Sequence, residues 1–169
     1  MKKYFTPAFI AQAGLIAALY AALTITASLT PVGTFFFGAI QFRLPEALTI
    51  LPAFTPAAIP GLFLGCLISN IVGTAAGVAF GLPDIIFGSL ATLAAALLTR
   101  KIKKPWLMPL PPVVVNAIVV GIILTKMLGE YSLWFNILTV GIGQAVVCYG
   151  LGLPLYWLLN KRKGIFRLP

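Results

Sequence analysis

The 169-residue sequence has no histidine, only three acidic residues and only two cysteines. Without histidine, the chain lacks the commonest general base and metal ligand of enzymes. It also has no glycine-rich phosphate-binding motif with its lysine, so we expect no ATP hydrolysis by this chain itself. Cys66 and Cys148 both lie inside apolar runs, where a thiol behaves as a small hydrophobe, and neither has metal-ligand spacing around it. We therefore expect a protein that is not an enzyme and that needs neither a cofactor nor a metal.

Charged residues are also scarce, and most of the chain is apolar. Charged residues make up 9% of the chain and hydrophobic residues 60%, whereas soluble proteins carry roughly a quarter charged residues. The apolar runs are continuous and rich in Ala and Leu, which predicts helices and not the alternating strands of a membrane barrel. About 20 helical residues cross a bilayer core of about 30 Å. The sequence therefore predicts an all-α, multi-pass membrane protein with a single integral membrane domain over residues 1–169.

Polar and charged residues divide the chain into six predicted transmembrane helices in one bundle. The predicted spans cover about residues 9–29, 45–54, 61–80, 84–98, 108–126 and 133–159. With six spans, both termini lie on one side of the membrane, together with the basic clusters at residues 2–3, 100–104 and 161–167. The positive-inside rule makes this side cytoplasmic. The net charge of +9 thus reflects membrane topology, and we expect no nucleic-acid binding.

All the acidic residues fall on the opposite, outer side. Glu46, Asp84 and Glu130 lie in three separate connections at the outer ends of the predicted spans. Each has an ordinary alternative role at a helix N-terminus, where a carboxylate contributes about 0.3–1 kcal/mol; Asp84 in particular is placed to cap the fourth span. Acidic residues contribute little to topology, so sorting by charge does not explain their shared location. We therefore expect these helix entrances to converge on one pocket open to the outside.

Arg43 and Glu46 stand one helical turn apart at the entrance of the second span. A pair at that spacing is able to interact directly and to hold the first connection closed. Such a pair has either a structural role or a role in the pocket.

Three amides lie deeper in the predicted spans, at Asn70, Asn116 and Gln144. Intramembrane amides either hydrogen-bond other helices or line a cavity. Together with the outer carboxylates and with Trp134 near the mouth, they predict a pocket for a flat, nitrogen-rich, neutral or cationic ligand. Trp134 has an alternative position in an interfacial aromatic belt.

The first span has two adjacent stripes of small residues spaced four apart. Small residues at this spacing allow another helix to approach closely. That helix belongs either to the same bundle or to a separate membrane subunit. The stripes are Ala13, Ala17 and Ala21, and Gly14, Ala18 and Ala22.

The block from Gln41 to Thr49, followed by Leu51-Pro52, the run at 56–62, and Gly65-Cys66 with Asn70, resembles the queuosine-precursor transporter (QueT) family. Its members are substrate-binding S-components of energy-coupling factor (ECF) transporters in prokaryotic plasma membranes. Length, span number and the alanine-lined first helix agree with this family over essentially the whole chain. The alanine face is shared by S-components generally and indicates no particular substrate.

The resemblance implies a mechanism and a ligand. The S-component captures a 7-deazaguanine, preQ0 or preQ1, outside the cell and docks through its first helix on a transmembrane coupling subunit. Two cytoplasmic ATPase subunits then drive its toppling in the lipid bilayer. For this ligand, depth and chemistry assign Glu46 or Glu130 to the guanine-like edge, Asp84 to the amine of preQ1, and Asn116 and Gln144 to other ring positions. In this assignment Arg43 orders the first connection through Glu46.

Other functions remain open at this point. One is an S-component for a pyrimidine- or flavin-like vitamin. Another is a self-contained secondary transporter, although the sequence has no recognisable inverted repeat. A membrane enzyme or a purely structural subunit is disfavoured by the absence of histidine and by the polar outer residues, respectively.

Overall fold

In a computed structural model, residues 6–28, 42–129 and 131–162 are described, and these residues form helices and turns without any strand. The predicted all-α fold is thereby confirmed. The α-helices are α1 (Pro7–Ser28), α3 (Ala58–Ala75), α4 (Ser89–Lys101), α5 (Leu110–Leu128), α6 (Leu133–Val147) and α7 (Leu153–Asn160), and α2 (Leu44–Ala53) is a 3₁₀ helix.

Four stretches are long and apolar enough to cross a bilayer: Pro7–Ala27, Ala58–Ala75, Pro105–Leu128 and Leu133–Asn160. The last joins α6 and α7 through a π-helical turn, Cys148–Gly152. This turn lies just before Pro154, which has no N–H to donate to the preceding helical turn. These stretches confirm a multi-pass membrane protein.

The other two predicted spans are shorter or interrupted. The ten residues of α2, at about 2.0 Å each in a 3₁₀ helix, extend only about 20 Å. Pro52 inside it lacks the N–H that a longer regular helix needs, whereas Pro45 lies in the first turn, where that N–H has no partner to lose. The predicted fourth span consists of a π turn, Asp84–Gly88, which continues into α4. The six-span count and the cytoplasmic termini remain predictions.

The short helix α2 lies in the middle of the bundle. Eight of its ten residues are buried, and α1, α3, α4, α6 and α7 all contact it. Most of the polar residues of interest lie in or around this central element.

Glycines let α3 pack closely against α1. A Cβ at Gly65 would lie 2.7 Å from Cβ of Tyr20 and 2.9 Å from the carbonyl oxygen of Ala17, and one at Gly61 would lie 2.8 Å from the carbonyl oxygen of Ala13. These approaches are possible only because Gly61 and Gly65 have no side chain. The close packing brings Tyr20 into the interior, where it is completely buried.

Candidate functional site

Glu46 is the centre of a buried polar site. Its side chain is 0% exposed, and its Oε1 accepts a hydrogen bond from the hydroxyl of Tyr20 at 2.6 Å. Its second oxygen, Oε2, is buried without a hydrogen-bond partner. A buried carboxylate with an unused oxygen is energetically unfavourable, which makes Glu46 a candidate ligand-binding residue.

Two fully buried amides share this property. Asn116, on α5, lies beside the Glu46 carboxylate, yet neither its Oδ1 nor its Nδ2 completes a hydrogen bond. Gln144, on α6, has an unpartnered Nε2, while its Oε1 accepts from the thiol of Cys148 at 3.8 Å. The same thiol lies 3.7 Å from the backbone carbonyl oxygen of Glu46, and this links Gln144 to α2.

The unpartnered atoms are concentrated at this one place. Of the five buried side-chain atoms in the described ranges that lack a hydrogen-bond partner, four belong to Glu46, Asn116 and Gln144. Together they comprise a carboxylate acceptor, an amide acceptor and two amide donors. These are the chemical groups with which the N–H and carbonyl groups of a small molecule would pair.

Arg43 holds the entrance of α2 in a different way from the one predicted. Its guanidinium donates to Oδ1 of Asn70 at 3.3 Å and to Sγ of Cys66 at 3.8 Å, and among the described residues it forms no ion pair with Glu46. The two residues are one 3₁₀ turn apart, since the backbone N–H of Glu46 donates to the carbonyl oxygen of Arg43 at 2.9 Å, but the Arg43 side chain reaches α3 instead. Its charge still acts favourably on both Glu46 and Asp84.

Asn70, which accepts from Arg43, also bonds to Asp84. The amide nitrogen of Asn70 donates to the backbone carbonyl of Asp84 at 2.7 Å. Oδ2 of Asp84 accepts from the backbone N–H of Phe80 at 2.9 Å. The expected helix cap is therefore wrong: no side-chain cap bond is formed at this helix start, and the carboxylate stabilises the preceding turn instead.

One predicted site residue that the structure describes, Trp134, does not join the buried cluster. Trp134 is 78% exposed at the start of α6, because it lies in the first turn on the outer surface of that helix, as an interfacial aromatic residue does. Glu130 lies outside the described residues.

Sequence reasoning missed Tyr20 and Cys148. Cys148 stands four residues after Gln144, a spacing at which helical side chains are neighbours, so this contact had a local signal. Tyr20 lies 26 residues before Glu46, and no local pattern links the two. Only the packing of α1 brings them together.

The two small-residue stripes of α1 differ in burial: one is buried and the other is exposed. Ala13, Ala17 and Ala21 are buried at 7%, 6% and 8% exposure, because they line the helix face that packs into the bundle. Their predicted use as an external docking face is therefore corrected to internal packing. The second stripe faces outward and consists of Gly14, Ala18 and Ala22.

Fold and site together define a multi-pass helical membrane protein with an interior set of unpartnered hydrogen-bonding atoms. Residues 10–161 of the chain match the protein family described as "QueT transporter". The chain therefore belongs to the QueT transporter family, and the resemblance identified in the sequence is confirmed.

One named relative is the queuosine precursor transporter QueT of Lactococcus lactis subsp. cremoris (strain MG1363). It is 37% identical over 84 residues, which are 50% of this chain and 44% of the relative. The matched region thus spans less than half of the relative's length. No solved structure matches the chain.

Proposed function

We propose that this chain is the substrate-binding S-component of an ECF-type importer and that it captures a queuosine precursor, preQ1 or preQ0. The observation that carries the proposal is the set of unpartnered atoms on Glu46, Asn116 and Gln144. Family membership supports transport as the role, and the name of the Lactococcus lactis relative supports the substrate class.

The chemistry of a 7-deazaguanine matches this set of atoms. Its guanine-like edge offers ring and amino N–H groups beside a carbonyl oxygen. In the proposed complex Oε2 of Glu46 accepts from the N–H groups, and Nε2 of Gln144 donates to the carbonyl. Asn116 has both a donor and an acceptor for the remaining ring positions. Asp84 remains the candidate partner for the preQ1 amine.

The rest of the transport cycle follows from the same proposal. The bundle has six spans, completed by α2 and α4, with cytoplasmic termini and a site that opens outward. The outward stripe Gly14, Ala18 and Ala22 docks on the transmembrane coupling subunit, since small residues allow close helix approach. Two partner ATPase subunits supply the energy, because this sequence has no nucleotide-binding motif of its own.

Calorimetric titration of the purified, detergent-solubilised chain with preQ1, preQ0, guanine and riboflavin tests the proposal. We expect selective binding of a 7-deazaguanine by the chain alone. Glu46→Gln should weaken it about 10- to 100-fold, since a hydrogen bond to a charged group contributes about 1.5–3 kcal/mol. Binding of riboflavin alone would indicate an S-component for another vitamin, and folded protein that binds none of the four would contradict the proposal.

A reconstitution experiment separates an ECF component from a secondary transporter. Proteoliposomes that contain this chain without ATPase subunits should show no preQ1 accumulation. Accumulation driven by an ion gradient would identify a self-contained transporter instead.

A further inference from the structure

Tyr20 stands out among the buried residues because it is the hydrogen-bond donor to the central carboxylate. Its side chain is 0% exposed, and its hydroxyl lies 2.6 Å from Oε1 of Glu46. Its ring belongs to an apolar cluster that includes Leu62 and Cys66. The apolar packing of the Tyr20 ring therefore places its hydroxyl against Glu46.

The backbone around Tyr20 holds the ring in place. The absence of a side chain at Gly65 lets α3 pack against Cβ of Tyr20. The hydroxyl of Thr24 donates to the carbonyl oxygen of Tyr20 at 2.9 Å, within α1. The position of the Tyr20 hydroxyl is thus set by two packed helices and does not depend on a flexible connection.

This arrangement determines which carboxylate oxygen is available. The hydrogen bond from Tyr20 is short, at 2.6 Å, so it restrains rotation of the Glu46 carboxylate about its last torsion. With Oε1 held by Tyr20, the unpartnered oxygen is Oε2, on the carboxylate that Asn116 adjoins. We propose that Tyr20 is a positioning residue, which orients Glu46 so that Oε2 accepts from the N–H edge of the bound ligand.

This inference rests on the proposed function, in which Glu46 binds the ligand. It also links the site to α1, whose outward face carries Gly14, Ala18 and Ala22. Tyr20 is then a residue of the proposed docking helix that acts directly on the binding carboxylate.

The test is calorimetric titration of preQ1 into the full chain and into Tyr20→Phe. Phenylalanine keeps the packed ring and removes only the hydroxyl, so we expect the affinity to fall about 10- to 100-fold. The matched control is Tyr156→Phe, because Tyr156 packs against Phe54 with ring centroids 5.1 Å apart and should leave the affinity within about twofold of wild type. Unchanged affinity in Tyr20→Phe would overturn the inference.

A double-mutant cycle distinguishes positioning from general support of the fold. If Tyr20 acts through the Glu46 carboxylate, then Tyr20→Phe should cause no further loss in the Glu46→Gln background. In that background position 46 carries no carboxylate for the lost hydroxyl to leave unpaired, so the comparison of the double variant with Glu46→Gln stands even if Tyr20→Phe alone folds poorly. Full additivity of the two losses would overturn the inference. Failure of wild type to bind preQ1 or preQ0 is a separate result, which removes the proposed function and this inference with it.

Discussion

The guanidinium of Arg43 lies 3.3 Å from the amide oxygen of Asn70 and so ties the entrance of α2 to α3. The amide nitrogen of Asn70 continues the connection to the backbone of Asp84 at 2.7 Å. One arginine therefore joins three parts of the chain through a single amide. It also supplies the positive charge that acts on the buried carboxylates of Glu46 and Asp84.

Arg43→Gln should destabilise the protein strongly. It removes the cation from a region with two buried carboxylates, and leaving a buried charge uncompensated costs about 3–5 kcal/mol. Chemical unfolding in detergent, followed by tryptophan fluorescence, measures the change. Lys103→Gln, at an exposed position, is the charge-matched control and should stay within about 0.5 kcal/mol of wild type. Equal stability of the two variants would show that Arg43 does not compensate these acids.

Asn116→Leu should stabilise the ligand-free protein while abolishing high-affinity binding. Both polar atoms of the Asn116 amide are buried without partners, and such an unsatisfied group costs about 1–3 kcal/mol, which a leucine of similar shape recovers. Thermal unfolding without ligand and calorimetry with preQ1 measure the two effects. A lower unfolding temperature would indicate that Asn116 has a structural partner in the free protein.

Asn136→Leu is the matched control for that experiment. Asn136 is also buried, but its amide nitrogen donates to the hydroxyl of Thr125 at 2.9 Å. Its replacement should therefore cost about 0.5–1.5 kcal/mol of stability and leave the preQ1 affinity unchanged. Opposite signs of the two stability changes distinguish a ligand-binding amide from one that bridges helices.

Gly65→Ala should disrupt the contact between α1 and α3. The added Cβ would lie 2.7 Å from Cβ of Tyr20 and 2.9 Å from the backbone of Ala17, so the helices must separate, at a cost of about 1–3 kcal/mol. Gly14→Ala adds a methyl group where no atom lies within 4 Å, and should stabilise α1 by up to about 1 kcal/mol. Unfolding of the isolated chain measures both. Equal effects of the two would contradict the close α1–α3 approach.

Ala18→Trp should block transport without weakening ligand binding by the isolated chain. Ala18 lies on the outward stripe of α1, where a large ring prevents close approach of another helix. Co-purification with the coupling subunit and preQ1 uptake should both be lost, while calorimetry gives wild-type affinity. Leu138→Trp, on α6 at a position 62% exposed, should retain uptake. Normal assembly and uptake in Ala18→Trp would rule out this docking face.

Sequence reasoning correctly predicted which polar residues are buried, but it failed where the direction of a side chain or of a helix face was needed. Asn70, Asn116 and Gln144 were selected as intramembrane amides, and all three are buried. The Arg43–Glu46 pair was wrong in detail, because the Arg43 guanidinium binds Asn70 and Cys66 on α3 and not the Glu46 carboxylate. The small-residue period of α1 predicted two faces, but it contained no information on which of them packs against Gly61 and Gly65.

The sequence by itself determined that this is a helical membrane protein and to which family it belongs. Bilayer thickness sets the length and composition of a spanning helix, and both are readable in a single chain. Only the tertiary structure decided that Tyr20 meets Glu46, that α2 is a short buried 3₁₀ helix, and that Ala17 faces inward while Ala18 faces outward. These facts depend on helix rotation and on contacts between distant residues, which packing determines and local sequence periodicity does not encode.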